Sequence, residues 1–139
     1  MPPNPHTGRL LRDAFARFER DLLDGLREAR VADIRPTHNA VLRYLDADRG
    51  TRASTLAERA GLTRQALTQI VDDLERLGYV TRRPDPTDRR AKLVVYTDRG
   101  RRVFAAGREI IDRIERAFED ELGAGDYATL RRALTKLRA

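Results

Sequence analysis

Arg64, Gln65, Thr68, Gln69 and Asp72 are spaced so that a helix would gather them on one face. An ordinary solvated face carries mostly Glu, Lys and Arg pairs. This one offers a guanidinium, two amides and a hydroxyl, groups able to hydrogen-bond base edges in a major groove. A second set, Asp88, Arg89, Arg90 and Lys92, lies further along the chain. There a carboxylate two residues before a guanidinium can hold it aimed at a phosphate or a minor groove, at little cost in rotamer entropy. The plainer alternative is that Asp88 and Arg90 close a loop on each other, and for Asp88 alone that role suffices.

The flanking residues predict the elements that carry both sets. Leu67, Ile70, Val71, Leu74 and Leu77 recur at helical spacing opposite the polar face, predicting a helix from Thr63 to Leu77 with an inward apolar stripe. Thr63 suits the N-cap, and the free N–H groups and positive dipole end of that first turn suit a phosphate. Upstream, Leu56, Ala57, Ala60, Gly61 and Leu62 read as a short helix closed by a left-handed glycine and an apolar residue, the order of a helix-turn-helix bend. Ser54 or Thr55 is its expected cap. Downstream, Gly78 stops the helix, and Tyr79 to Arg83 and Ala91 to Tyr96 are strand-like, joined by a loop over residues 84–90 to make a wing. Thr51 to Ala53 is a short strand able to pair with that wing. Residues 35–100 thus read as a winged helix-turn-helix.

Around that unit, residues 1–8 read as a flexible arm and residues 9–34 as an N-terminal helix whose Leu11, Phe15, Phe18, Leu22 and Leu26 form a stripe. Pro36 fits the first turn of a second helix running to about Asp46. Thr97 is placed to cap a long helix to Leu122, followed by a break over Gly123 to Gly125 and a last helix with Tyr127, Leu130, Leu134 and Leu137 in register. The long helix spans on the order of 35 Å, more than a small core needs. The first helix and residues 101–139 carry more apolar surface than one protomer can cover, so a homodimer is expected. The fold class is mainly α: a winged helix-turn-helix with a small antiparallel β wing and dimerisation helices at both ends. Its two-fold axis would set the recognition helices about 34 to 36 Å apart on double-stranded DNA, over a pseudo-palindrome.

Composition narrows the chemistry. The 139 residues contain no cysteine, which excludes disulfides, thiolate metal sites and thiol redox switches. The net charge is +6, and residues 82–102 alone carry eight basic against three acidic residues, a local basic stripe beside the helix-turn-helix. No apolar run approaches the roughly 20 residues of a membrane span, and the polar start is no signal peptide, so a cytoplasmic protein is expected. Ser54 is the sole serine and the histidines are His6 and His38, too few for a nucleophilic triad or a metal site; neither an enzyme nor a cofactor is expected. A winged domain docking an acidic protein is the other reading, but the face from Thr63 to Asp72 lacks the aromatic or aliphatic anchors such docking needs.

The run from Thr63 to Val80, then Asp85-Pro86-Thr87-Asp88-Arg89-Arg90-Ala91-Lys92-Leu93-Val94 and Thr97-Asp98-Arg99-Gly100, resembles the MarR family of bacterial transcriptional regulators. The Asp-x-Arg wing, the Leu-containing strand and the Thr-x-x-Gly helix start carry most of that resemblance. It implies a dimeric repressor, for which the residue chemistry read above makes Thr63, Arg64, Gln65, Thr68, Gln69, Arg89, Arg90 and Lys92 the DNA contacts. It also implies a cleft between dimerisation helices and winged unit that takes a small aromatic or phenolic anion, with Phe15, Phe18, His38 and Tyr44 as candidate lining residues. Arg35 stands where the family often has a capping Thr, a departure in one helix start.

Overall fold

The computed structural model describes residues 3–138. Its elements are α1 (Thr7–Glu28), α2 (Pro36–Leu42), β1 (Thr51–Arg52), α3 (Ala53–Ala60), α4 (Arg64–Arg76), β2 (Val80–Asp85), β3 (Asp88–Tyr96), α5 (Asp98–Leu122) and α6 (Ala124–Leu137). This is the mainly helical winged architecture with one small antiparallel sheet that the sequence predicts.

Several boundaries differ, each for a local reason. The expected arm loses Thr7 and Gly8 to α1, because the His6 ring accepts the Arg9 N–H at 3.2 Å and so caps the helix; Met1 and Pro2 lie outside the described residues. α2 ends at Leu42, short of Asp46, because the Asp46 carboxylate accepts the N–H groups of Asp48 and Arg49 at 2.9 Å and draws the chain into a turn. Neither Ser54 nor Thr55 caps α3. The helix starts at Ala53 directly from β1, with Arg52 at the cap position and both hydroxyls inside the first turn. At the other end Gly123 alone separates the last two helices, so α6 begins at Ala124 and not at Asp126.

The helix-turn-helix bend agrees closely with the sequence. Gly61 takes φ 66, the left-handed region that glycine enters without steric cost, and the Leu62 N–H returns to the Ala57 carbonyl at 2.8 Å. Thr63 Oγ1 then accepts the Ala66 N–H at 3.1 Å and starts α4.

The wing is a longer ribbon than expected. Residues 84–90 are not a loop: β2 runs to Asp85 and β3 starts at Asp88, leaving Pro86 and Thr87 as the connection. The sheet order is β1-β3-β2, which makes β2 an edge strand, and there Pro84 costs no ladder bond that matters. Val80 pairs with Tyr96 and Thr51 with Val94. The buried side of β3 carries Val94 and Tyr96, while Leu93 and Val95 are half-buried on the other.

The core joins Leu56 of α3, Leu67, Val71 and Leu74 of α4, Val41 of α2, and Val80 and Val94 of the sheet. Leu22, Leu23 and Leu26 of α1 continue it against Ile110 and Ile114 of α5. α5 is fastened where it leaves the sheet. Thr97 Oγ1 donates to the Gly78 carbonyl at 2.6 Å and accepts the Gly100 N–H at 3.0 Å, while the Tyr79 carbonyl accepts the Thr97 N–H at 3.1 Å. A Cβ on Gly100 would lie 1.9 Å from that carbonyl oxygen. Farther out the helices lose cover: Leu10, Leu11, Phe15, Phe104 and Leu122 are exposed, and α6 buries no residue at all. Among the described residues no helix is long and apolar enough to cross a membrane.

Candidate nucleic-acid interface

α4 turns its apolar stripe into the core, which leaves Arg64, Gln65, Thr68 and Gln69 exposed, with the Thr63 cap exposed at its start. Arg64 and Thr68 form one wall of a groove whose other wall is the wing, with Asp88, Arg90 and Lys92. Gln65, Gln69 and Arg89 are exposed but lie outside that groove. Its remaining side is formed by Arg52 and Ser54, from the β1–α3 junction. Sequence reading misses these last two, because only the β1–β3 pairing brings them beside the wing.

Arg90 is almost fully extended into solvent, its side chain 96% exposed and its Nε 3.6 Å from Asp88 Oδ1. The same Asp88 oxygen accepts the Arg90 N–H at 3.1 Å. Asp88 therefore both shapes the start of β3 and faces the guanidinium, combining the two roles open to it from sequence.

The wing tip is held by a carboxylate to which sequence reading gives no role. Asp85 is only 5% exposed and accepts the Thr87 N–H at 2.9 Å, the Thr87 hydroxyl at 2.8 Å and Arg52 Nε at 2.6 Å. The Thr87 bonds first, then the Arg52 guanidinium, hold its pKa down at about 2. A carboxyl whose folded-state pKa is depressed contributes stability above its unfolded pKa, near 4, and loses it as pH falls through the folded value. The wing tip is therefore expected to stay ordered at pH 5 and to loosen between about pH 4 and pH 2. Amide exchange of Thr87 and Asp88 across an acid titration measures this; protection unchanged from pH 5 to below 2 would exclude it.

Asp72, on the polar face of α4, is not free to read a base. Arg82 of β2 reaches it with Nη2 at 2.6 Å, approaches the Thr68 carbonyl at 3.4 Å with the same nitrogen, and pairs with Glu75 through Nη1.

A separate cavity of about 250 Å³ lies between α1, α2 and α5. Phe15, Phe18, Phe104 and Tyr96 line it, with Asn39, Arg43 and Arg108 as its polar members. Of the four residues expected in a ligand cleft, only Phe15 and Phe18 are there. Tyr44 is partly exposed on the turn after α2, outside the lining. His38 is 2% exposed and faces α4: Nδ1 accepts the Arg35 N–H at 2.9 Å, so Nε2 carries the proton and donates to Asp73 Oδ2 at 2.5 Å. Burial, then the nearby Arg35 charge, push the imidazole below its usual pKa. Position 38 lies at the start of α2, and its helical phase directs the ring to α4 and away from α1.

Together these features define a winged helix-turn-helix protein with a polar recognition helix, a basic ribbon and long terminal helices left partly bare. The family model of the MarR family matches residues 32–91. The transcriptional regulator HosA of Escherichia coli O111:H- is 27% identical over 105 residues, which cover 76% of this chain and 78% of HosA. Among solved structures, the transcriptional repressor CouR bound to a 23-mer DNA duplex superposes with a TM-score of 0.78 at 27% identity, covering 96% of this chain and 93% of CouR. Apo MarR from E. coli superposes with a TM-score of 0.76 at 25% identity, covering 96% of this chain and 98% of MarR. The chain belongs to the MarR family of transcriptional regulators.

Proposed function

We propose that the protein is a homodimeric repressor that binds a pseudo-palindromic duplex operator through α4 and the wing. The observation that carries this reading is the shared groove, in which Arg64 and Thr68 face Arg90 and Lys92. Base preference comes from Arg64, Gln65, Thr68 and Gln69, and the salt-dependent part of affinity from Arg89, Arg90, Lys92 and the α4 N-terminus behind Thr63. The duplex held by CouR, which shares the fold over nearly the whole chain, supports the assignment. Residues 35–100 form the DNA-binding unit and residues 9–34 and 101–139 the dimerisation region. The cavity walled by Phe15 and Phe18, with Arg43 and Arg108 at hand, suits an aromatic or phenolic anion that releases the operator. Docking of an acidic protein in the same groove has less support, because the exposed face of α4 presents no large apolar anchor.

Selection of bound duplexes from a random pool, at two salt concentrations, tests the reading with wild type and an Arg64/Gln65/Arg90 triple alanine variant. A two-armed pseudo-palindrome that the variant no longer enriches is the expected outcome. Weak, sequence-blind binding erased by salt would overturn it. On the selected duplex, Arg90→Ala is expected to weaken binding to every sequence and to lower the slope of log K against log salt by about one. An unchanged slope would remove Arg90 from the phosphate contacts.

A further inference from the structure

Arg82 of the wing makes three hydrogen bonds, and its partners are all on the recognition helix. Thr68, Asp72 and Glu75 form one stripe of α4, and the guanidinium reaches the backbone carbonyl of the first and the carboxylates of the other two. Its side chain is 27% exposed, against 96% for Arg90 on the same ribbon. A planar fork can satisfy several acceptors in fixed directions, where an ammonium would act as a point charge. With its donors turned toward α4, Arg82 has little left for a phosphate. The cations of the wing therefore do two different jobs.

We infer that Arg82 is a positioning residue: it clamps β2 to the Thr68 turn of α4, so that the base-reading helix and the phosphate-contacting wing meet the duplex as one piece. The same pairing offsets one of the two negative charges that Asp72 and Glu75 place on the helix, where they would otherwise repel the duplex. This inference rests on the operator reading above and assigns a residue which that reading leaves out. Loss of the clamp frees the wing to reach phosphates without aligning α4, so discrimination suffers more than contact number.

The test uses the full-length protein and the selected duplex beside a random duplex of equal length, over a salt series. Arg82→Ala is expected to lower the ratio of specific to random affinity on the order of tenfold, the scale of one lost base contact. Its salt slope stays at the wild-type value, in contrast to Arg90→Ala. Arg82→Lys is expected not to restore the ratio. Asp72→Ala/Glu75→Ala removes both side-chain acceptors from the helix side without removing any cation and is expected to lower the ratio as well, which keeps the test decisive if Arg82→Ala folds poorly. A slope lowered by about one in Arg82→Ala would make Arg82 a phosphate contact and overturn the inference. An unchanged ratio in the helix-side variant would overturn it too. Wild type that prefers no duplex would defeat the operator reading and this inference together, whereas a selective wild type with equally selective variants defeats the clamp alone.

Discussion

Gly100→Ala is expected to cost the protein a large fraction of its stability. Helix propensity alone predicts the opposite sign, since alanine is favoured over glycine inside a helix by about 1 kcal/mol. The geometry decides against it: the new Cβ would lie 1.9 Å from the Tyr79 carbonyl oxygen, 2.9 Å from the carbonyl carbon and 2.8 Å from a ring carbon of Tyr96. Two of those atoms are backbone, and both tyrosines are buried, so no flexible side-chain end can give way. Relief requires α5 to back off, which strains the Thr97 N–H bond to the same carbonyl and the Thr97 hydroxyl bond to Gly78. Overpacking of a rigid site costs about 1 to 3 kcal/mol and occasionally more, and the lost joint adds to it. Against a typical stability of about 5 to 15 kcal/mol that is a large fraction. Urea unfolding of the variant reads the effect, and a midpoint at or above wild type would refute the argument.

The second large effect is on assembly. Leu130 and Leu134 are 39% and 40% exposed on a helix that buries none of its own residues. Each leucine fully covered by a partner contributes roughly 1.5 to 3 kcal/mol, and a carboxylate in its place must be desolvated. Leu130→Glu/Leu134→Glu is therefore expected to sediment as a 15.9 kDa monomer. Because a dimer joins two half-site contacts, operator affinity should fall by on the order of 100-fold or more. A variant that remains dimeric would show that the α6 leucines lie outside the interface.

How much of the fold and of the groove is legible in the sequence depends on the range of the interaction concerned. The helix-turn-helix bend is readable because Gly61, Leu62 and Thr63 act on their immediate neighbours and α4 repeats its apolar residues over several turns. The Thr97 cap is readable for the same reason, but not why position 100 must be glycine, since Tyr79 reaches it across the sheet. The wing is underestimated because residues 84–90 are polar on both faces: an exposed ribbon is held by backbone pairing, which leaves no apolar alternation to detect. The Arg52–Asp85 pair joins residues 33 apart in the chain, and the Arg82 pairs cross from a strand back to the preceding helix, so neither obeys a period. For the cavity, phase matters more than residue type. Phe15 and Phe18 point into it, whereas His38, equally plausible by chemistry, is turned a fraction of a helical turn toward α4.

That histidine has a mechanical meaning. Apolar contacts between helices tolerate sliding, because any greasy surface serves almost as well as the next, but a buried hydrogen bond holds only over a narrow range of distance and angle. The His38–Asp73 bond, itself braced by the Arg35 N–H, therefore works as a pin through α2 and α4. With that pin in place, α4 cannot roll against α2 without leaving the buried His38 ring short of its acceptor. In the proposed dimer, adjusting the spacing of two such units on a duplex then means moving each α2–α4 pair as one piece, with its internal geometry unchanged.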